Sequence, residues 1–382
     1  MTSPKLYFKS SFILLSILLT ANTFFGQSCD PLSLDSIGNP GEYAVSSLTE
    51  PDGIRNGPDY DGATIYYPTN ATPPFSGMVI VPGYVSAQST IQNWGPFLAS
   101  HGIVTMTIGT NSIWEYPEDR RAALLDALIT LKGENTRSGS PLFGQIDINS
   151  LAVGGWSMGG GGAQLAAAAD PSIKAVMALC PWLESGTYTA ADLNHAAPIV
   201  IFSAENDGVA PPASHADIHY DYTPITTSKM LFEITGGNHQ VANDPIGGGG
   251  YIGKIAVAWL NNYLVGDTCY CPLVLGTPPT ASKYLLNVEC SSATSSVNEF
   301  NSSAIIEYQI YPNPSSENIT LDVTNWEAGT SYQIFSITGT QIDAGIVKNS
   351  TSSIAIDHLT PGSYVFRISN KDKSQQMKLV VK

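Results

Sequence analysis

Three residues far apart in a 382-residue chain have the types and order needed to activate a hydroxyl group. Gly155-Trp156-Ser157-Met158-Gly159 carries a Gly-x-Ser-x-Gly pattern. That pattern suits a turn in which a strand ends and a helix starts at once, with the serine at its apex. Such a serine is held in strained backbone geometry with its hydroxyl raised above the sheet. Small residues must flank it, because a Cβ would collide where strand and helix cross. The competing reading is a glycine-rich structural turn. The flanks favour the nucleophile: Ser150 to Val153 reads as a short buried strand, and Ala163 to Ala169 as a helix stopped by Asp170-Pro171.

A serine hydroxyl is a poor nucleophile until a base takes its proton. The base in turn needs a carboxylate to fix its tautomer and stabilise the imidazolium. In α/β-hydrolase sheets the chain order is serine, acid, histidine. Asp207 stands just past the expected strand Ala197–Ser203, and His239 just past the expected strand Lys229–Ile234. Both come after Ser157, at strand ends where such sheets build their sites. Asp192 and Asp217 are rivals that follow no strong strand. Among the other histidines, His101 lies in a turn ahead of the serine, and His358 is near the C-terminus. His195, His215 and His219 are expected at the surface.

A tetrahedral intermediate also needs backbone donors for its oxyanion. The N–H of Met158 is one candidate. The other comes from the loop after the strand Gly77–Val81, at Tyr84. Trp182, after Leu179-Cys180-Pro181, is placed to line a cleft. No metal-ligand spacing is convincing, and the glycines at 159–162 and 247–250 lack the Lys-Ser/Thr of a phosphate loop. Neither a metal nor a cofactor is expected.

These residues must be positioned by a scaffold. Apolar strands at Gly77–Val81, Ile103–Ile108, Ala175–Leu179, Ala197–Ser203 and Lys229–Ile234 alternate with helices at Ile91–Ser100, Pro117–Lys132, Pro211–Tyr220 and Ile252–Leu264. The pattern predicts an α/β fold: a mostly parallel sheet with helices on both faces. Weaker strands are expected near Tyr43–Leu48 and Thr64–Tyr67. After Cys290 the composition changes. Ser291 to Ser296 reads as a linker, and short alternating strands at Ile319–Val323, Tyr332–Ile337, Ser363–Ile368 and Met377–Val381 suggest a small β-sandwich. The expected divisions are residues 1–28, 29–290, 291–304 and 305–382.

Residues 1–28 have the layout of an export signal: Lys5 and Lys9, the apolar run Phe12 to Leu19, then Gly26-Gln27-Ser28. Cys29 directly after Ser28 leaves a lipoprotein as the alternative. Of the five cysteines, Cys180 follows an apolar run and is expected to be a buried free thiol. Cys29, Cys269, Cys271 and Cys290 allow three pairings. Cys29 is expected to bond one of Cys269 and Cys271, and Cys290 the other. The net charge is −15, concentrated between residues 29 and 300, which disfavours nucleic acid and anionic membranes as partners.

Taken together, Val81-Pro82-Gly83-Tyr84, Gly155-Trp156-Ser157-Met158-Gly159, Cys180-Pro181-Trp182, Glu205-Asn206-Asp207 and Gly236-Gly237-Asn238-His239 resemble bacterial cutinases and PET hydrolases over roughly residues 50–270. The resemblance implies an α/β-hydrolase that cleaves esters in polymers or insoluble esters through an open cleft, without a cofactor. A monomer is expected. It implies a Ser157, Asp207, His239 triad, an oxyanion hole at Tyr84 and Met158, and a clamp on an aromatic diacid by Tyr84 and Trp182. Val209 and Asn243 would sit at the rim. The chain departs from its relatives at Gln240, where Phe or Ser is usual. It also departs at Val241, where some carry a disulfide cysteine, and at Ala204, where Gly is common. The alternatives in function are an esterase of small lipid esters and a surface binding protein without turnover. Tyr311-Pro312-Asn313-Pro314, Pro361-Gly362-Ser363-Tyr364 and the last five residues resemble a type IX secretion sorting domain. That resemblance implies engagement of the type IX machinery, an extracellular location, and cleavage or surface attachment after export.

Overall fold

A computed structural model describes Cys29, residues 32–288, Cys290, and residues 308–324, 326–336, 341–370 and 373–382. The expected export signal (1–28) and serine-rich linker (291–304) lie outside the described residues. The chain divides into two compact units at Ser295–Ser296.

The first unit is built on nine strands: β1 (Val45–Thr49), β2 (Ala63–Pro68), β3 (Phe75–Val81), β4 (Val104–Ile108), β5 (Ile146–Trp156), β6 (Ala175–Leu179), β7 (Ile199–Ala204), β8 (Lys229–Ile234) and β9 (Ala281–Asn287). They form one sheet in the order β1-β2-β4-β3-β5-β6-β7-β8-β9. From β4 to β8 every pairing is parallel. β2 joins β1 and β4 antiparallel, and β9 joins β8 antiparallel. Every residue of β3, β4, β6, β7 and β8 is buried. The reason is a core on each face. Val79, Val81, Val153 and Ile201 pack with Leu124, Leu128 and Leu131 of α2 (Pro117–Glu134) and Ala163 and Ala166 of α3 (Met158–Ala169). Met78, Ile80, Phe202 and Phe232 pack with Trp94 and Leu98 of α1 (Trp94–Ser100) and Ile255 and Trp259 of α5 (Tyr251–Leu260). Successive residues of one strand feed opposite cores, so the strands read as unbroken apolar runs.

Some elements depart from the sequence reading. α4 covers Ala216–Tyr222, with a 3₁₀ turn at Pro212–Ser214 in place of one helix from Pro211. α5 ends at Leu260 and runs into a π turn at Asn261–Val265. β9 has little local signal; pairing with β8 makes it a strand, and Tyr284 packs edge-on against Phe232. α2 is not cleanly two-faced. Its buried side includes Arg120, Asp126, Thr130 and Glu134, while Ile129 is exposed. Cys29 pairs with Cys269 and Cys271 with Cys290, and Cys180 is a buried free thiol. Among the described residues no helix is long and apolar enough to cross a membrane.

The second unit contains β10 (Tyr308–Tyr311), β11 (Asn318–Val323), β12 (Ser331–Ser336), β13 (Gln341–Ile346), β14 (Thr351–Ala355), β15 (Gly362–Asn370) and β16 (Lys373–Val381). They form two antiparallel sheets, β10-β11-β14 and β13-β12-β15-β16. Ile319, Leu321, Ile334, Phe366 and Leu379 fill the core. β10, β13 and β14 join the four strands expected from sequence; Ile337, the expected end of one of them, lies outside the described residues.

Candidate active site

Ser157 sits between β5 and α3 with φ +58° and ψ −122°, a left-handed region a serine adopts only under constraint. The constraint is local. Its N–H donates to the Leu179 carbonyl at 2.8 Å, and its carbonyl accepts from the N–H groups of Gly160 and Trp182, each at 2.9 Å. The flanking glycines are needed for space. A Cβ on Gly155 would lie 2.3 Å from the carbonyl of Gly159, and one on Gly159 would lie 2.5 Å from the carbonyl of Val81.

Asp207 and His239 follow β7 and β8, adjacent parallel strands of the sheet. The Asn206 N–H donates to the Gly237 carbonyl at 2.8 Å, which ties the two loops together. Asp207 Oδ1 accepts from the N–H groups of Val209 (2.9 Å) and Ala210 (2.7 Å). Asp207 Oδ2 lies 2.7 Å from His239 Nδ1, and His239 Nε2 lies 2.9 Å from Ser157 Oγ. With Asp207 ionised, the imidazole holds its proton on Nδ1, which leaves Nε2 to accept from the serine hydroxyl. All three side chains are buried. Burial opposes the charge on Asp207. The hydrogen bond from His239 and the two N–H donors outweigh it and hold the carboxyl below its ordinary range. From the opposite side the Trp156 Nε1–H donates to the His239 carbonyl at 2.8 Å. Cys180 Sγ lies within 4.8 Å of the ring and carboxylate, but burial and the Asp207 charge keep it a protonated, unreactive thiol.

A cleft of about 630 Å³ opens over Ser157 and His239. Tyr84 and Trp182 line it, with Met158, Val209 and Gln240, all named from sequence. Trp156, Gly208 and Asn238 also line it. Trp156 and Asn238 stand inside the quoted motifs, so their signal was present. Asn243 is not among the lining residues; it lies a turn behind Gln240, to whose carbonyl its N–H donates at 3.2 Å.

The expected surface positions of His195, His215 and His219 are corrected: all three are buried. The chain after β7 folds back over the sheet and carries two of them inward. His219 Nδ1 lies 2.5 Å from Gln164 Oε1 on α3, and the His215 ring stacks on Trp182 with centroids 5.6 Å apart. None of the three displaces His239 from Ser157. The rival acids are used elsewhere: Asp217 pairs with Lys283 at 2.8 Å, and Asp192 accepts from the Thr189 N–H and hydroxyl.

Arg120 escaped notice because a charge in a helix normally faces water. It is fully buried. Its Nε donates to the Pro82 carbonyl at 2.9 Å, one terminal nitrogen donates to Gly83 at 2.7 Å, and the other to Glu115. Burial lowers its pKa to about 10, which leaves it charged at neutral pH. Its three acceptors lie in the turn that carries Tyr84 and at the entry to α2.

A strained serine between strand and helix, with a histidine and a buried carboxylate at later strand ends of a mostly parallel sheet, defines the serine α/β-hydrolase class. Residues 31–292 match the family described as PET hydrolase-like. The chain belongs to that family. It is 36% identical over 238 residues to a bis(hydroxyethyl) terephthalate hydrolase of Streptomyces coelicolor, covering 61% of this chain and 72% of that protein. It is 35% identical over 234 residues to cutinase 2 of Thermobifida cellulosilytica, covering 59% and 84%. It is 34% identical over 238 residues to cutinase est1 of Thermobifida alba, covering 61% and 76%. These relatives are carboxylic ester hydrolases by name. Residues 309–382 match the secretion system C-terminal sorting domain, which indicates type IX export.

Proposed function

We propose that this protein hydrolyses carboxylic esters in polyesters, PET-like aromatic polymers among them, through an acyl-enzyme on Ser157. The observation that carries the reading is the unbroken relay from Asp207 Oδ2 through the His239 ring to Ser157 Oγ, with spacings of 2.7 and 2.9 Å. His239 Nε2 takes the serine proton as Oγ adds to the ester carbonyl. Asp207 stabilises the imidazolium that results. The oxyanion is held by the N–H groups of Tyr84 and Met158. Met158 is the first residue of α3, where the helix dipole also favours negative charge. Each such donor contributes on the order of 3–4 kcal/mol to the barrier reduction. His239 then protonates the leaving alcohol, and water activated by the same ring frees the acid. Tyr84 and Trp182 clamp the acyl unit, with Val209 and Gln240 around it. The complete set of groups lies within one chain, in keeping with a monomer.

The open cleft and the cutinase names among the relatives favour polymer esters over small lipid esters. Residues 1–28 act as an export signal, 29–290 as the catalytic domain, 291–304 as a linker and 305–382 as the sorting domain, which leaves the enzyme outside the cell or on its surface. The test is Ser157→Ala, assayed on a p-nitrophenyl ester and on PET film. Turnover should vanish while the melting curve stays near that of the wild type. Retained turnover in that variant would falsify the assignment.

A further inference from the structure

Beside the cleft lies a cluster of exposed rings that the reaction does not use. Trp114 and Tyr116, in the loop between β4 and α2, are 59% and 53% exposed. Both rings meet Tyr84. Trp114 stands edge-on to it with centroids 5.6 Å apart, and Tyr116 is tilted with centroids 5.9 Å apart. Tyr84 lines the cleft, so the aromatic surface runs without a break from the cleft to the outer face of Trp114. Val85 and Ile113 are exposed beside it. A ring more than half in water contributes little to a core, and a contiguous apolar patch on a soluble protein marks a place where something binds.

The patch is also held rigidly. The Val85 N–H donates to the Ile113 carbonyl at 2.7 Å, which ties the loop after β3 to the loop after β4. Val85 takes φ +53°, costly for a β-branched residue and tolerated where the surroundings impose it. Arg120 clamps both loops from beneath through Pro82, Gly83 and Glu115. A strained residue and a buried guanidinium under a set of solvent-exposed rings indicate a preorganised surface rather than a chance loop conformation.

We infer that Tyr84, Trp114 and Tyr116 form a shelf for the second aromatic unit of a polyester chain whose first unit occupies the cleft. This rests on the function proposed above and extends it: the enzyme discriminates by chain length. The occupant follows from continuity. An aryl diester seated against Tyr84 must continue out of the cleft, and the rings beside Tyr84 offer edge and face contacts to the next aryl group, of the kind that adds to simple area burial. An aliphatic chain would gain the area but not the ring geometry.

The test compares the wild type with Trp114→Ala, Trp114→Phe and Trp114→Ala/Tyr116→Ala on three substrates. These are a p-nitrophenyl butyrate, bis(hydroxyethyl) terephthalate with one aromatic unit, and its two-unit oligomer. On the first two, all variants should keep kcat/KM within about twofold. On the two-unit oligomer, Trp114→Ala should lose about fivefold and the double variant tenfold or more, mostly in KM, while Trp114→Phe keeps at least half. Equal losses on all three substrates would mean a structural role and would overturn the shelf, as would an unchanged rate on the oligomer. A wild type inactive on every ester would sink the esterase reading itself, a distinct result.

Discussion

The Arg120 guanidinium donates to the Gly83 carbonyl at 2.7 Å, so a side chain from the middle of the fold fixes the turn that presents Tyr84. The same group satisfies Pro82 and Glu115. A buried cation is stable here because main-chain oxygens replace its water. Arg120→Met should strand those carbonyls and lower stability by about 2–5 kcal/mol. In the fraction that folds, kcat should fall more than KM rises, because the oxyanion donor proposed at Tyr84 would lose its support. Single-turnover acylation at a temperature below the variant's melting point measures this. A variant with normal acylation and only a lower melting point would assign Arg120 to stability alone.

Asp207→Asn should leave the geometry nearly intact and still reduce kcat by roughly three to four orders of magnitude. The amide cannot stabilise the imidazolium, and it favours the tautomer that puts the proton on Nε2, facing Ser157. Two N–H donors from Val209 and Ala210 now point at Oδ1. The side-chain oxygen of asparagine can occupy that position, which leaves its NH₂ toward His239 Nδ1. Burst amplitude with a p-nitrophenyl ester distinguishes lost chemistry from lost folding.

Acid should unfold the catalytic unit through histidines that are not in the relay. Burial lowers the pKa of His195 to about 4 and that of His219 to about 3. In the unfolded chain both titrate near about 6.5. Between these values the unfolded chain binds more protons, so stability is fully present above pH 6.5 and falls as pH drops toward the folded values. The slope should approach about 1.4 kcal/mol per pH unit for each group. His219→Gln keeps a partner for Gln164 and removes one titrating group, so its denaturation midpoint should depend less steeply on pH from 6 to 4. An unchanged slope would exclude His219 as a source of the acid lability.

The two disulfides should differ in worth. Cys29–Cys269 spans 240 residues and Cys271–Cys290 spans 19. Loop-closure entropy alone gives about 5 kcal/mol for the first and about 3 kcal/mol for the second. Replacing each pair by serine, both members together, avoids reshuffling. The Cys29/Cys269 variant should melt lower. Cys180 should stay unmodified by a thiol reagent in the native enzyme and react only on unfolding, since it is buried and its pKa is raised.

Much of this site was legible in the sequence because its signals are local. The strained turn at Ser157 needs glycines within two residues, and those glycines stand in the sequence whatever the rest of the chain does. Asp207 and His239 could be named together because each stands a few residues past an apolar run, and a parallel sheet gathers the ends of its strands on one side. The strands themselves were legible because both faces are covered, which makes them continuously apolar. The disulfide partners of Cys29 and Cys290 were narrowed by exclusion, but the choice between Cys269 and Cys271 depended on the fold.

What only the tertiary structure decided depends on distant partners. Arg120 reads as a solvated helix charge until the Pro82 and Gly83 carbonyls of the loop after β3, with that of Glu115 just ahead of its own helix, surround it. His195, His215 and His219 read as surface residues, yet all three are buried, two of them carried inward by the chain after β7. β9 is a strand because β8 offers it an open edge. Trp114 and Tyr116 become one surface with Tyr84 only when the loops after β3 and β4 meet. Spacing along a chain carries the geometry of a single turn, whereas desolvation and ring contact depend on which segments fold against one another.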